Sequence, residues 1–494
     1  MKYYLGIDQG TTGVTALLFD TAFAPVARGY SEIKQFYPAP GLVEHDPENI
    51  WQAVQTATAE AMKKCGAVPG DILAIGIDHE GESVALWDRD SGEPVYPAIV
   101  WQDNRTAARA AELARLHGKR FLETAALLPD SYFSATKIEW ILQNVPRARE
   151  LLQKGSLLAG NMDAYILWKM TGGRTHATDA STASRTLLYD IGRGCFDEEL
   201  SALCGVPTSI LPTVGDSARA FGNADPRCFL DICAPITALL NDQQAALLGQ
   251  GCLDAGTLKT TYGTGCFMLM NTGDAPILSK NGLLTTVAWQ LNGKRTYALD
   301  GGIYIAGAAT QWLRDGLGII SSAKETAAMA RSLPDNGGLY FVPAFSGLAA
   351  PHRDPTATGT MIGISGGTTR EHLVRATLES TAYQVVDLAA AMQRDSGISL
   401  QRMRCDGGAT ANDFLMQFQA DILGIPLEVP QFADATALGT AFAAAMGAGH
   451  CGTDTIAAYR QEATVYEPKM PRELRLSYLD EWHRALERAK GWRV

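Results

Sequence analysis

Residues Tyr3 to Ile7 form a short apolar run without helical spacing, which stops at Asp8-Gln9-Gly10-Thr11-Thr12-Gly13 and resumes from Val14 to Phe19. That pattern predicts a β-hairpin with a glycine-rich tip. Glycines let backbone N–H groups approach an anion, and threonine hydroxyls add donors. Turns with no ligand use the same residues, so one such tip carries little alone. A second unit repeats the pattern: Thr257 to Thr261, then Tyr262-Gly263-Thr264-Gly265, then Cys266-Phe267-Met268-Leu269-Met270. Two strand–tip–strand units suggest a duplicated architecture with two facing phosphate-contacting hairpins.

Between them, Asp46-Pro47-Glu48 marks a helix start, with a cap, an N1 proline and an early acid. The helix is predicted to run to about Cys65 with Ile50, Val54, Ala57 and Ala61 on one face. Asp71 to Ile77 reads as a strand delivering Asp78-His79-Glu80-Gly81-Glu82. The run Ala98-Ile99-Val100 delivers Trp101-Gln102-Asp103-Asn104-Arg105, and Asp130-Ser131-Tyr132-Phe133 precedes a helix from Ala135 to Gln143. These clusters mix carboxylates, amides and aromatics, which suits a hydroxylated ligand. Singly each is more often structural: His79 is expected to be a satisfied turn histidine and Trp101 a core edge.

The stretch Ile236 to Gly249 organises the rest. An apolar run ends at Asn241-Asp242, and an alanine- and leucine-rich helical pattern follows, so Asn241 or Asp242 is expected near the helix N-cap. A carboxylate there sits at the carboxyl end of a strand, where ligands of α/β sheets bind. Asp242 is therefore the candidate catalytic base. Further on, Leu299-Asp300-Gly301-Gly302 starts a segment whose helix includes Gly307, Gln311, Trp312 and Leu313. Met403 to Asp406 ends in Gly407-Gly408-Ala409-Thr410-Ala411-Asn412 before a helix near Asp413. A strand–Gly-Gly–helix junction permits close backbone approach to a nucleotide. No G-x-x-x-x-G-K-[ST] is present, so this is not a P-loop enzyme.

A chain of 494 residues exceeds one ordinary core, so two domains are expected. The join is placed in the polar, proline-containing stretch Asn223 to Pro235, giving domains 1–235 and 236–494. A net charge of −11 argues against nucleic-acid or acidic-membrane partners. Backbone amides and a metal can still supply the field for a polyphosphate. The nine cysteines are scattered with no C-x-x-C pair, which fits reduced thiols and a cytoplasmic location. The N-terminus does not read as a signal peptide, because Asp8 interrupts the apolar run. No apolar stretch approaches the roughly 18 residues of a membrane span.

Together these stretches resemble the FGGY carbohydrate kinases, and within them the glycerol kinases. The resemblance covers almost the whole chain. It rests on Gly6-Ile7-Asp8-Gln9-Gly10-Thr11-Thr12, Val43-Glu44-His45-Asp46-Pro47, Ile99-Val100-Trp101-Gln102-Asp103, Asn241 to Leu247, Thr261 to Gly273 and Asp406-Gly407-Gly408-Ala409. It implies an α/β fold of two actin-like (ribonuclease-H-like) domains closing on a cleft, with ATP held mainly by the second. It implies that Asp242 takes the proton of the acceptor hydroxyl and that Asp8, with Asp242, lies at Mg²⁺ beside the phosphates. Thr11, Thr12, Gly13 and Thr264 fall at phosphate-contacting positions, and Gly307, Gln311, Gly408 and Asn412 at nucleotide-contacting ones. Gly81, Glu82, Trp101, Tyr132, Asp242, Gln243 and Phe267 match the polyol pocket. A homodimer or homotetramer is implied as well.

The departures shape the expected substrate. Glycerol kinases carry an arginine where this chain has Gly81, and a basic residue in the first hairpin where it has Thr15. The usual Tyr-Trp after the Ala-Pro motif is His352-Arg353, and a nearby arginine is Thr358. Losing an arginine at Gly81 removes a rigid multi-donor fork and is expected to leave room for a longer acceptor. The main expectation is a kinase for a polyol other than glycerol, such as a four- or five-carbon one. The first alternative is a true glycerol kinase whose arginine is replaced from elsewhere. The second is a lapsed kinase that binds nucleotide or sugar as a regulator, motivated by the lost basic residues and opposed by the retained Asp8, Asp242 and both tips. The basic, glycine-rich loop that binds fructose bisphosphate in some glycerol kinases has no counterpart near Asn223 to Pro235, so no such regulation is expected.

Overall fold

The computed structural model describes residues 1–432, 434–459 and 462–493. Two large mixed sheets organise it, and they are built alike. In the first, strand Tyr3–Gln9 pairs antiparallel with Gly13–Phe19, which pairs antiparallel with Pro25–Glu32. On its other side Tyr3–Gln9 pairs in parallel with Ile72–His79, which is followed by Pro235–Asn241 and Ala218–Asn223. In the second sheet, Leu258–Tyr262 pairs antiparallel with Cys266–Gly273, and that strand with Lys294–Ile303. Its parallel neighbour is Met403–Asp406. The two predicted hairpins thus occupy equivalent places in equivalent sheets.

The segment Asn223 to Pro235 connects two antiparallel strands of the first sheet, and the chain enters the second sheet at Leu258. Helix Ala435–Gly447 then returns to the first sheet, where it packs with helix Asp242–Gly249 over Tyr4, Ala74, Ala238 and Leu240. The two helices cross at glycines: a Cβ on Gly249 would lie 1.9 Å from the carbonyl oxygen of Ala435, and one on Gly439 1.9 Å from that of Ala245. Only hydrogen side chains allow that approach, which fixes the helix that begins at Asp242.

The opposite face of the first sheet is covered by helix Pro47–Cys65, capped by the Asp46 side chain accepting from Glu48 N–H. Its predicted stripe, Ile50, Val54, Ala57 and Ala61, is fully buried. A smaller sheet of Gln35–Phe36, Glu44–His45, Ala98–Ile99, Val84–Asp88 and Leu157–Asn161 flanks this lobe. It carries the loops that hold Glu82 and Trp101. As expected, the helix that follows Leu299 to Gly302 includes Gly307, Gln311, Trp312 and Leu313; Leu299 to Gly302 themselves form the end of strand Lys294–Ile303, and the helix starts at Gly307. β-branched and aromatic neighbours and a central sheet position outweigh the two glycines there. No helix among the described residues is long and apolar enough to cross a membrane.

Candidate active site

Asn241 is the N-cap of helix Asp242–Gly249, its side chain accepting from Gln243 N–H, so Asp242 is the first helical residue. The Asp242 carboxylate accepts from the Gln243 backbone N–H at 2.6 Å and from the Gln243 amide at 3.2 Å. Burial lifts its pKa to about 7, against the opposing pull of the Lys259 ammonium, with Asp8 and Glu82 close enough to push it further up. Lys259 is fully buried in strand Leu258–Tyr262 and donates to the Gln243 amide oxygen and to Thr261 Oγ1. A carboxyl group poised near neutrality at a strand–helix junction has the properties of a general base.

Asp8 stands opposite Asp78 on the neighbouring parallel strand. Burial, with Asp434 nearby, lifts Asp8 to about 6, and burial beside Asp8 holds Asp78 well above the ordinary carboxyl range. Of the two, Asp78 holds its proton the more strongly. Among the described residues no three His, Cys, Asp or Glu side chains are grouped to hold a metal. Magnesium commonly takes one or two protein carboxylates and completes its shell with phosphate and water oxygens. Asp8 and Asp242 fit a cation that arrives with a triphosphate.

The expected phosphate contacts lie at the two tips. In the first, Gly10 N–H donates to the Gly13 carbonyl across the turn, and Thr11 Oγ1 accepts from Trp101 Nε1 at 3.0 Å. That bond ties the first hairpin tip to the loop that carries Trp101. At Thr15 the missing basic residue is met from the next strand: Arg28 donates to Thr15 Oγ1 at 3.0 Å and pulls the Asp8 pKa down. In the second tip, Thr264 is exposed and its carbonyl accepts from Ala306 and Ala308 N–H at 3.0 Å each. Helix Gly307–Asp315 thus begins against the tip, and a Cβ on Gly307 would lie 2.5 Å from the Gly263 carbonyl oxygen. Gln311 and Gly408 are exposed on the same lobe. Asn412 caps helix Asp413–Leu423 and donates to Thr326 Oγ1 at 3.0 Å.

Of the residues expected at a polyol pocket, Tyr132 and Asp242 both feel the charge of Glu82. Its loop is oriented by Asn161 Nδ2, which donates to the Gly81 and Ser83 carbonyls at 2.9 and 3.1 Å. Trp101 and Tyr132 meet edge to face with centroids 5.9 Å apart. The buried Lys137 ammonium donates to the Tyr132 and Phe133 carbonyls, and burial lowers its pKa to about 7. Phe267 comes from the second sheet, opposite Thr261 and Gly302. His79 is buried and neutral, its pKa lowered by burial to about 4, with Nε2 3.0 Å from Thr182 Oγ1.

Gly81 does not open the space expected of it. Its φ is +84°, and a Cβ there would meet the Asn241 amide nitrogen at 3.0 Å. A guanidinium reaches Glu82 from another segment instead. Arg185 Nε donates to Glu82 Oε1 at 2.7 Å, and its Nη2 lies 3.1 Å from Asp300 Oδ2 of strand Lys294–Ile303. Arg185, Asp300, Lys259 and the Asp8 partnership of Asp78 were not singled out from sequence. Lys259 carries a usable signal, a lysine in a strand just before a Gly/Thr tip. Arg185 carries none, because Ser184-Arg185-Thr186 reads as a surface turn.

Family models describe the same organisation. Residues 3–249 match the N-terminal domain, and 258–448 the C-terminal domain, of the FGGY family of carbohydrate kinases. A glycerol kinase of Carboxydothermus hydrogenoformans is 49% identical over 100% of this chain and 99% of its own length. Glycerol kinase 2 of Thermotoga maritima is 48% identical with the same coverage. Among solved structures, Plasmodium falciparum glycerol kinase with ADP superposes with a TM-score of 0.94 at 33% identity, covering 99% of this chain and 98% of that one.

Proposed function

The chain belongs to the FGGY family of carbohydrate kinases, and from that premise we propose that it transfers the terminal phosphoryl group of ATP to a hydroxyl of glycerol. Membership makes it an ATP-dependent phosphotransferase acting on an alcohol; glycerol is the finer reading. The expectation of a longer acceptor gives way for two reasons. The relatives that match end to end at about this identity are glycerol kinases. The site at Gly81 is packed against Asn241 rather than open.

The observation that carries the mechanism is Asp242, first residue of its helix, held between the Glu82 pocket and the Asp8 hairpin with its pKa near 7. The acceptor hydroxyl gives its proton to the Asp242 carboxylate as its oxygen attacks the γ-phosphorus, and ADP leaves on the far side. Gln243 holds the carboxylate through two donors, leaving lone pairs for the incoming proton. Backbone N–H groups and hydroxyls of both tips, with Arg28, supply donors to the phosphate oxygens. Asp8 and Asp242 would hold a magnesium ion arriving with the triphosphate, which would supply charge neutralisation. Phosphoryl transfer asks mainly for such positioning and charge balance. The buried side of the cleft at Glu82 keeps water from competing with the alcohol.

The test is ADP release across C3 to C5 polyols and ketoses. Glycerol is expected to give the highest kcat/KM, with turnover abolished by Asp242→Asn. A four- or five-carbon acceptor with the highest value overturns the glycerol reading, and turnover surviving Asp242→Asn overturns the role of the carboxylate.

A further inference from the structure

Arg185 is only 2% exposed, and its guanidinium is the centre of a charge network that joins the two lobes. One edge is occupied by Glu82 of the first lobe and another by Asp300 of the second. The plane lies over the aromatic rings of Tyr132 and Phe133, 5.7 and 5.6 Å from their centroids. The third nitrogen, Nη1, is buried and has no hydrogen-bond partner among the described residues. An unpaired buried donor is costly, more so on a charged group. The turn bearing it is tied to both lobes: Arg185 N–H donates to the Thr182 carbonyl, and Ser184 Oγ lies 2.9 Å from Thr286 Oγ1 of the second sheet.

The same corner is short of donors. Glu82, Asp242 and Asp300 are acceptors when ionised, the Gln243 amide gives one of its two N–H groups to Asp242, and Trp101 Nε1 is spent on Thr11, which leaves the second amide N–H and the Tyr132 hydroxyl as the donors beside Arg185. Each hydroxyl of a polyol both donates and accepts, so a polyol entering an acceptor-rich pocket needs a donor for its oxygens. We propose that Arg185 is the specificity-determining residue of the acceptor pocket, its Nη1 donating to a non-reacting hydroxyl oxygen of the polyol while Glu82 and Asp300 hold the fork in place. The assignment rests on the polyol-kinase reading above, and it makes a multi-donor fork available without one at Gly81. It also explains why a fully buried cation is kept here: its outer two edges are paired, and the remaining one meets substrate.

The test compares wild type with Arg185→Lys and Arg185→Gln on glycerol, 1,2-propanediol and 1,3-propanediol. Expected is a rise of about 30-fold or more in the KM for glycerol in both variants, with the KM for ATP within about twofold and kcat falling less than KM rises. Lysine keeps the charge but not the fork, so it does not rescue. The penalty shrinks for whichever diol lacks the hydroxyl that meets Nη1, a pattern that a purely structural arginine does not produce. If Arg185→Gln loses its native circular dichroism, Arg185→Lys carries the comparison alone. An unchanged glycerol KM, or equal penalties on all three acceptors, overturns the assignment while leaving the glycerol reading intact. If another polyol proves the preferred acceptor, the glycerol reading falls and the same comparison on that polyol and its deoxy analogues decides Arg185. A wild-type protein that phosphorylates no polyol overturns both.

Discussion

The acceptor and nucleotide sides of the proposed site are built by different means. On the acceptor side the chemistry is buried: Glu82 and Arg185 are each 2% exposed and paired with one another, and Lys137 pins the Tyr132 loop from below. On the nucleotide side Thr12, Thr264, Gln311 and Gly408 are exposed, and glycine junctions present backbone rather than side chains. A small neutral polyol offers only hydroxyls, so discrimination requires desolvated, directional partners whose loss leaves another group unpaired. A triphosphate offers dense charge, so many weak, exposed donors suffice. Substitutions on the buried side should therefore be severe and specific, and those on the open side mild and graded.

The largest expected effect is at the boundary between the sides. Asp242→Asn should lower kcat by about 10³-fold or more with little change in glycerol affinity, read by steady-state kinetics and calorimetry. The pH profile sharpens this. Burial raises the Asp242 pKa to about 7, so the base is protonated and inactive below that value and free above it. kcat should rise with pH through about 7 and then level. The same shift means the folded carboxyl holds its proton more tightly than the unfolded one. It therefore favours the fold at low pH, and that contribution is lost as pH rises from about 4 to about 7. Asp242→Asn should consequently raise Tm at pH 8, by about 2 °C.

Next in size is Glu82→Gln. It leaves the buried Arg185 with Asp300 as its remaining carboxylate, and breaking a buried pair costs about 3 kcal/mol. Both Tm and glycerol kcat/KM should fall, while the KM for ATP holds. A surface-like loss under 0.5 kcal/mol in denaturant unfolding would break the comparison. On the open side, Asn412→Ala removes a helix cap worth about 1 kcal/mol and the bond to Thr326. It should raise the KM for ATP by about fivefold and leave that for glycerol unchanged. The smallest effect is expected for Arg28→Gln, because that side chain is half-exposed. The KM for ATP should rise about threefold at low salt, and the difference should fade at about 0.5 M salt, where exposed charges are screened.

Legibility from sequence followed the range of the interaction. The helix Pro47–Cys65 was readable end to end, because its cap, proline and apolar stripe all act within a turn or two. Both hairpins were readable, because alternation and tip residues are adjacent in the chain. The strand–helix junction at Asp242 was readable for the same reason. The surroundings of Gly81 were not, because a glycine in the sequence does not show what packs against it. Asn241 lies against that glycine from another strand, and Arg185 reaches Glu82 from a turn far along the chain.

What the sequence determined alone was therefore the set of local devices: two glycine-tipped hairpins, a capped carboxylate at a strand end, and a family pattern that joins them. Hydrophobic period, capping and turn chemistry are short-range, so they survive without coordinates. The tertiary structure alone decided which charges meet. It set Arg28 beside Thr15, Asp78 beside Asp8, and Arg185 between Glu82 and Asp300. The last two of those pairings are made across elements by burial in a low-dielectric interior, where a group's partner, and not its neighbours in the chain, sets its charge state and its use.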